Sequence, residues 1–258
     1  MANTVSLLRH HFLHVEIRRV PAQQALVWLR RGWDDLKHLK AAALAHGALI
    51  TALGAVLLML GSSHPYLVAA AISGYLLVGP IMTTGLCELS RRRAANEPTG
   101  FDDSMQGITR NPEGLFHFGL VLGIIAVAWF VLSGVVLQSA LHTSTPSLGD
   151  ALWGSVTDAA SLPQVLAYIG SGAVLAAIVF TLSVVSVPLI IDRHASALDA
   201  MWISIKTTFW NLPAMIVWAG VIVGLTALGF ATFLLGMIVV TPVLGHATWH
   251  AYKDLIGD

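Results

Sequence analysis

The stretch 212–251 reads LPAMIVWAGVIVGLTALGFATFLLGMIVVTPVLGHATWHA and contains no Asp, Glu, Lys or Arg. A single unbroken α-helix of that length would be about 60 Å long, twice the thickness of the hydrocarbon core of a bilayer. The stretch therefore predicts two membrane helices joined by a reversal. The break between the two helices is weak in the sequence, and the reversal is expected at Leu228, Gly229 and Phe230.

The rest of the chain repeats this apolar character. Hydrophobic residues make up 56% of the chain and charged residues 11%, whereas soluble domains carry about 25% charged residues. Apolar runs near the length that crosses a bilayer occur at 41–60, 66–89, 115–141, 165–191, 212–227 and 232–251. These runs predict an all-α integral membrane protein with six transmembrane helices.

The distribution of charge predicts the orientation of the chain. With six spans, all 14 Lys and Arg residues fall on one side of the membrane. The loops on the other side contain Asp150 and Asp158 but no basic residue. Basic loops stay in the cytoplasm, so both termini are expected to be cytoplasmic in a bacterial inner (cytoplasmic) membrane.

The chain is expected to consist of a cytoplasmic extension, 1–20, and one membrane domain, 21–258. Within the domain, a cytoplasmic amphipathic helix followed by a membrane hairpin recurs in units at 21–95, 96–195 and 196–258. In the first unit the apolar stripe comprises Ala22, Ala25, Leu26, Leu29, Trp33 and Leu36. The other faces carry Arg30, Arg31, Asp34, Asp35 and Lys37. Such helices lie in the headgroup plane of a membrane.

Each unit carries a proline in the second helix of its hairpin, at Pro80, Pro188 and Pro242. Proline kinks a helix because it frees a backbone carbonyl. Equivalent kinks favour a pseudo-threefold bundle, and repeated units often place a binding site at their shared interface. The alternative is that these prolines only shape helix packing.

Ionisable side chains in apolar runs are candidate functional groups because hydrocarbon makes them costly. Six of them lie toward the predicted cytoplasmic ends of the spans: His46, Glu88, His117, Asp192, His246 and His250. For Glu88 the alternative role is an ion pair with Arg91 or Arg92 one turn further along.

His246 and His250 share one helical face because they are four residues apart. That spacing can hold a metal ion or present a haem ligand, and it also suits a proton or ligand pathway. The remaining alternative is that both rings bind lipid phosphate, water or backbone. The sequence does not select among these alternatives, so it specifies neither a metal nor a cofactor.

Several classes of function are disfavoured. The formal net charge is +0, so nucleic acid is not an expected partner. Phosphate-binding loops, dinucleotide fingerprints and nucleophile elbows are missing from the sequence, and a single cysteine, Cys87, leaves no paired-cysteine motif. The chain is therefore predicted not to be an enzyme.

Three stretches resemble an uncharacterised bacterial domain-of-unknown-function family of predicted six-span integral membrane proteins. They are 25–36 (ALVWLRRGWDDL), 74–89 (GYLLVGPIMTTGLCEL) and 241–255 (TPVLGHATWHAYKDL). Some members of that family are loosely labelled cytochrome c oxidase subunits, which implies a respiratory setting. The resemblance supplies no catalytic residues.

The sequence therefore favours a non-catalytic accessory or assembly subunit of an inner-membrane complex, for which a respiratory complex is the candidate. Its expected partners are the lipid bilayer and other subunits of a membrane complex. The first alternative is a small carrier or a lipid- or ligand-binding protein built on a pseudo-threefold bundle. The second is a haem or metal binder that uses the sixth helix.

Overall fold

The computed structural model describes residues 15–61, 79–141 and 162–257, and these residues form an all-helical fold. Within them the β-pairing is limited to one antiparallel bridge, between Ile17 and Ile256. The helices are α1 (Gln24–His38), α2 (Lys40–Gly61), α3 (Thr84–Ala94), α4 (Phe101–Arg110), α5 (Pro112–Leu141), α6 (Leu162–Ser183), α7 (Ser186–Asp192), α8 (Ala197–Trp210), α9 (Leu212–Ala231) and α10 (Met237–Leu255). The predicted all-α fold class is confirmed.

Three segments of the described residues are long and apolar enough to cross a membrane: Pro112–Trp129, Gly170–Asp192 and Leu212–Ala231. They coincide with the third, fourth and fifth predicted spans. The first predicted span lies in α2, which qualifies only together with α1, across a bend of 106°. Most of the second, 66–89, lies outside the described residues, as does most of the extension 1–20. The count of six spans stays a prediction.

The predicted break between the last two helices is present, but its predicted position was wrong. Helix α9 continues through Gly229 to Ala231, and α10 begins at Met237. The chain reverses at 232–236, where Phe233 and Leu234 adopt left-handed backbone angles, φ 52° and 68°. Gly229 instead gives room to the returning chain, because a Cβ there would lie 2.2 Å from Met237 Sδ.

Helix α1 packs closely across α10. A Cβ on Gly32 would lie 2.5 Å from the carbonyl oxygen of Val243, so only glycine allows this crossing. The predicted stripe is divided in the structure: Leu26 and Trp33 are exposed, whereas Ala25 and Leu36 are buried, and Asp35, expected on another face, is buried with them. The sequence carries apolar residues on two faces of α1, and the face that packs comprises Ala25, Trp28, Gly32, Asp35 and Leu36.

The order of elements recurs along the chain. A short amphipathic helix (α1, α4 or α8) is followed, after one intervening residue, by a long apolar helix (α2, α5 or α9). The intervening residues are Leu39, Asn111 and Asn211. This order fits the predicted threefold pattern, but a pseudo-threefold arrangement in space stays a prediction.

The three prolines differ in their local structure. Pro80 lies in a helical turn that is interrupted at Thr83, before α3 begins. Pro188 lies in α7, just after the interruption at Val184 and Val185 that ends α6. Proline leaves the carbonyl four residues before it without its helical partner, which for Pro188 is that of Val184. Helix α10, in contrast, continues through Pro242.

Candidate functional site

Helix α3 places a dense series of polar residues inside the protein. Its sequence from 88 to 93 is Glu-Leu-Ser-Arg-Arg-Arg, and Glu88, Ser90 and Arg92 are buried. Side chains three and four residues apart lie on one face of a helix, so Glu88 can meet Arg91 and Arg92 locally. The other faces of α3 contact α10 and α4.

The first group of polar residues, the Glu88 cluster, consists of Glu88, Arg91, Arg92 and Arg110. The Glu88 carboxylate is 0% exposed and accepts hydrogen bonds from all three guanidinium groups. Arg91 donates from Nε and from its terminal nitrogen, both at 2.9 Å. Arg92 Nε donates at 2.9 Å and Arg110 Nε at 2.7 Å. The sequence alternative that pairs Glu88 with Arg91 and Arg92 is thus present.

Two further carboxylates balance the charge of this cluster. Glu97 accepts from Arg91 at 2.6 Å, and Asp103 lies 3.3 Å from Arg92. Three carboxylates therefore face three guanidinium groups. The hydrogen bond from Arg91 holds the pKa of Glu97 below its ordinary value, and hydrogen bonds to Glu88 and Glu97 raise the pKa of Arg91 further.

The second group, the Asp35 cluster, consists of Asp35, Ser90, Arg93, His246 and His250. Asp35 Oδ1 pairs with Arg93, and Asp35 Oδ2 accepts from Ser90 Oγ at 2.5 Å. His250 Nε2 lies 2.9 Å from the same Oδ2. Ser90 Oγ also lies 2.8 Å from His246 Nδ1. The cluster thereby joins α1, α3 and α10.

The hydrogen-bond pattern assigns the protons in this cluster. Ser90 has one hydroxyl proton, and it is directed to Asp35, so Ser90 accepts from His246 Nδ1–H. Burial opposes the ionisation of Asp35, but hydrogen bonds from His250 and Ser90 outweigh it and keep the pKa of Asp35 below its ordinary value. Asp35 is therefore a stable carboxylate at neutral pH.

The structure separates the six predicted site residues into several environments. His246 and His250 lie together in the Asp35 cluster, and Glu88 lies in its own cluster. His46 is buried, with Nδ1 3.1 Å from the Ala42 carbonyl and Nε2 3.3 Å from Ser104 Oγ. The remaining two lie elsewhere.

Asp192, at the end of α7, accepts a hydrogen bond of 2.6 Å from the hydroxyl of Tyr252. His117 is exposed on α5, and its ring contacts that of Phe116 at 5.8 Å. These two residues and His46 are not part of either cluster.

Sequence reasoning missed four members of the clusters: Asp35, Ser90, Arg93 and Arg110. Asp35 could have been found, because Trp28, Gly32 and Asp35 are spaced to share one helical face. Ser90 and Arg93 lie on the same helix as Glu88, but nothing in the sequence indicates which neighbouring helix they face. Arg110 reaches Glu88 from 22 residues away.

The arrangement does not resemble a metal centre or a serine nucleophile. Among the described residues there is no group of three or more His, Cys, Asp or Glu side chains placed to hold a metal ion. In a serine nucleophile pair a histidine takes the hydroxyl proton, whereas Ser90 donates to Asp35. The clusters are suited to holding helices together.

Comparison with known families adds one finding. Residues 67–192 match the model of the family described as "Predicted integral membrane protein (DUF2189)". The match includes the stretch 74–89 that carried part of the resemblance, and it confirms the resemblance to an uncharacterised family of predicted membrane proteins. No curated protein and no solved structure matches the chain.

Proposed function

For a chain that matches a family of predicted integral membrane proteins, we propose the role of a non-catalytic accessory or assembly subunit of an inner-membrane complex. Respiratory complexes are the first candidates. The observation that carries the proposal is the mutual saturation of the charged groups in the Glu88 and Asp35 clusters. Groups that already bind one another brace helices and are not available to a substrate.

The Glu88 cluster supports a bracing role. Burial of a carboxylate is costly unless it is paired and hydrogen-bonded, and Glu88 meets both conditions through three arginines. Two of these arginines come from its own helix, and Arg110 comes from α4. The cluster therefore stabilises the position of a surface helix relative to α3.

The Asp35 cluster supports the same role for α1. Both oxygens of Asp35 are occupied, by Arg93 on α3 and by Ser90 and His250. Trp28 Nε1 and Arg31 donate to Asp254 near the end of α10, at 2.9 Å and 3.0 Å. An accessory subunit needs this kind of rigid frame, and it needs no reactive group.

The outer surface supports contact with lipid or with other membrane subunits. Large apolar side chains are exposed along the long helices, among them Phe116, Ile124, Val174, Ile216 and Val223. Exposed apolar surface of this extent is expected to be covered in the cell. The positive-inside rule, applied to the basic residues, favours a cytoplasmic position for the two clusters.

Isolation of a tagged chain in mild detergent tests the proposal. Mass spectrometry of the eluate identifies partners, and an unrelated tagged multi-span protein isolated in parallel is the control. Stoichiometric membrane subunits found only with this chain support the proposal. A solitary monomer or a self-oligomer contradicts it.

One observation favours the alternative of a lipid- or ligand-binding protein. The described residues leave an open groove of about 790 Å³ beside α5, whose lining is apolar and includes Ile81, Leu115, Gly119 and Val127. Such a groove suits an acyl chain. A lipid extract of the purified protein that contains one lipid in stoichiometric amount would favour this alternative.

The haem or metal alternative has less support. The His250 ring already binds Asp35 and the His246 Nδ1 binds Ser90. Within the described residues, the buried Nε2 of His246 has no hydrogen-bond partner, but a single nitrogen is not a metal site. A visible absorption spectrum of the same eluate tests this alternative.

A further inference from the structure

The outer face of α8 carries an alternating row of tryptophan and cationic residues. Trp202, Lys206 and Trp210 are each four residues apart and so lie along one face of the helix. Trp202 is 46% exposed and Trp210 is 57% exposed. Two apolar residues beside the row, Leu198 and Phe209, are 75% and 69% exposed.

Two cations, Lys206 of the row and Arg19 from another part of the chain, are stacked on the tryptophan rings. Lys206 Nζ lies 5.1 Å from the centre of the Trp202 ring. The guanidinium of Arg19, from the segment before α1, lies 4.8 Å from the centre of the Trp210 ring. Both distances are within the range of a cation–π interaction. The row therefore combines two parts of the chain that are 183–191 residues apart in sequence.

A buried side chain holds Arg19 in this position. Asn211, which is 2% exposed, accepts from the backbone N–H of Val20 at 2.9 Å. Its Nδ2 donates to the carbonyl of Arg18 at 3.1 Å. The backbone on both sides of Arg19 is thus bound by one buried amide, at the junction of α8 and α9.

The positive charge of the row is not neutralised by its neighbours. Among the described residues, no carboxylate lies within ion-pair distance of Arg19 or Lys206. The nearest acidic residue on the helix, Asp199, binds Ser196 at the helix start. An anion outside the protein can therefore approach both cations.

We propose that Arg19, Trp202, Lys206 and Trp210 form a binding surface for the phosphate headgroup of an anionic phospholipid. Tryptophan prefers the headgroup level of a membrane, and basic residues at that level attract anionic lipids. Leu198 and Phe209 extend into the acyl region beside it. A soluble acidic partner would not need these exposed apolar neighbours. The proposal does not depend on a partner complex.

Native mass spectrometry can measure whether the chain binds an anionic phospholipid in preference to a zwitterionic one. The purified chain in a neutral detergent receives equal amounts of phosphatidylglycerol and phosphatidylcholine with identical acyl chains. Wild type is expected to retain more phosphatidylglycerol. The double variant R19Q/K206Q is expected to lower the ratio of retained lipids about fivefold for each cation removed. Variants are compared only if they elute as single peaks in size exclusion.

Matched variants separate this surface from general electrostatics. R30Q/K40Q removes two exposed cations of α1 and α2 and is expected to leave the ratio unchanged. R19K/K206R keeps both charges and is expected to keep the preference. An unchanged ratio in R19Q/K206Q, or an equal fall in R30Q/K40Q, would overturn the proposal.

A measurement on the wild-type chain needs no variant. Inorganic phosphate added to the mixture competes for both cations but cannot contact Leu198 or Phe209. Phosphate at a concentration equal to that of the lipid is expected to leave the amount of bound phosphatidylglycerol unchanged. Complete displacement would assign the site to free phosphate and overturn the lipid assignment, as would equal retention of the two lipids.

Discussion

Arg110 Nε on α4 lies 2.7 Å from Glu88 Oε2 on α3, across 22 residues of sequence. Among the three guanidinium groups that bind Glu88 in the described part of the chain, that of Arg110 comes from another helix, since Arg91 and Arg92 come from α3 itself. The contact is accompanied by close packing, because a Cβ on Gly107 of α4 would lie 3.0 Å from Glu88 Cβ. Glu88 therefore helps to fix the position of α4, together with Arg92, which binds Asp103 and Gln106 on the same helix.

Glu88→Gln is expected to lower the free energy of unfolding by about 3–5 kcal/mol, because it removes the buried negative charge that three guanidinium groups share. Thermal unfolding in detergent, followed by circular dichroism, measures the effect. Glu113→Gln at the exposed start of α5 is the control and is expected to change stability by less than about 0.5 kcal/mol. Equal stability of the two variants would show that the cluster does not brace the fold.

Asp35→Asn is expected to lower the free energy of unfolding at neutral pH by about 2–3 kcal/mol, because charge-assisted hydrogen bonds to Asp35 are lost. The neighbouring, half-buried Asp34 supplies the control. Asp34→Asn loses only a surface ion pair with Lys37 and is expected to change stability by less than about 1 kcal/mol. Unfolding of the three proteins is compared in one detergent and buffer.

The effect of Asp35 has a defined pH dependence. Its pKa in the folded protein is lower than the ordinary value of 3.8. The stabilisation is therefore complete above pH 3.8 and is lost as the pH falls through the folded pKa. The difference between wild type and Asp35→Asn should shrink only in that acidic range. A difference that disappears at neutral pH would contradict the assignment of the effect to the Asp35 carboxylate.

Gly47→Ala is expected to destabilise the crossing of α2 and α10. A Cβ at this position would lie 2.0 Å from the carbonyl oxygen of Ile238, and backbone cannot move away cheaply. Overpacking of this kind costs about 1–3 kcal/mol. Gly220→Ala is the matched control in a membrane helix, since a Cβ there meets no atom within 4 Å. Equal unfolding temperatures for both variants would mean that α2 and α10 do not cross here.

The orientation is tested with single cysteines introduced into a Cys87→Ser background. Asp102→Cys on α4 is expected to be cytoplasmic and protected from an impermeant maleimide in spheroplasts. Leu235→Cys, in the exposed turn between α9 and α10, is expected to react. Labelling of the first and protection of the second would reverse the predicted orientation.

The sequence predicts the helices better than it predicts their contacts. Long apolar runs without charge have few structural solutions in a membrane. The all-helical fold and the candidate spans in α5, in α6 with α7, and in α9 therefore follow from composition. The exact turn between α9 and α10 does not follow, because Gly229 suits a turn and a close helix contact equally. Its actual use depends on Met237, which the chain brings back against it.

The candidate site shows the same limit. The pairing of Glu88 with Arg91 and Arg92 could be predicted because the residues share one helix. The sequence places Asp35 off the predicted apolar stripe, since α1 carries apolar residues on two faces and only tertiary packing selects between them. The contact of Asp35 with His250 spans 215 residues, and no local pattern encodes a contact of that range.

Native mass spectrometry of particles released directly from the membrane tests the central claim, that the chain is a subunit of a larger complex. The account predicts a particle whose mass equals this chain of 27.5 kDa plus one or more different membrane subunits. The partner is expected to dissociate when detergent concentration is raised, leaving the intact chain. A particle that contains only this chain, alone or in copies, would contradict the account.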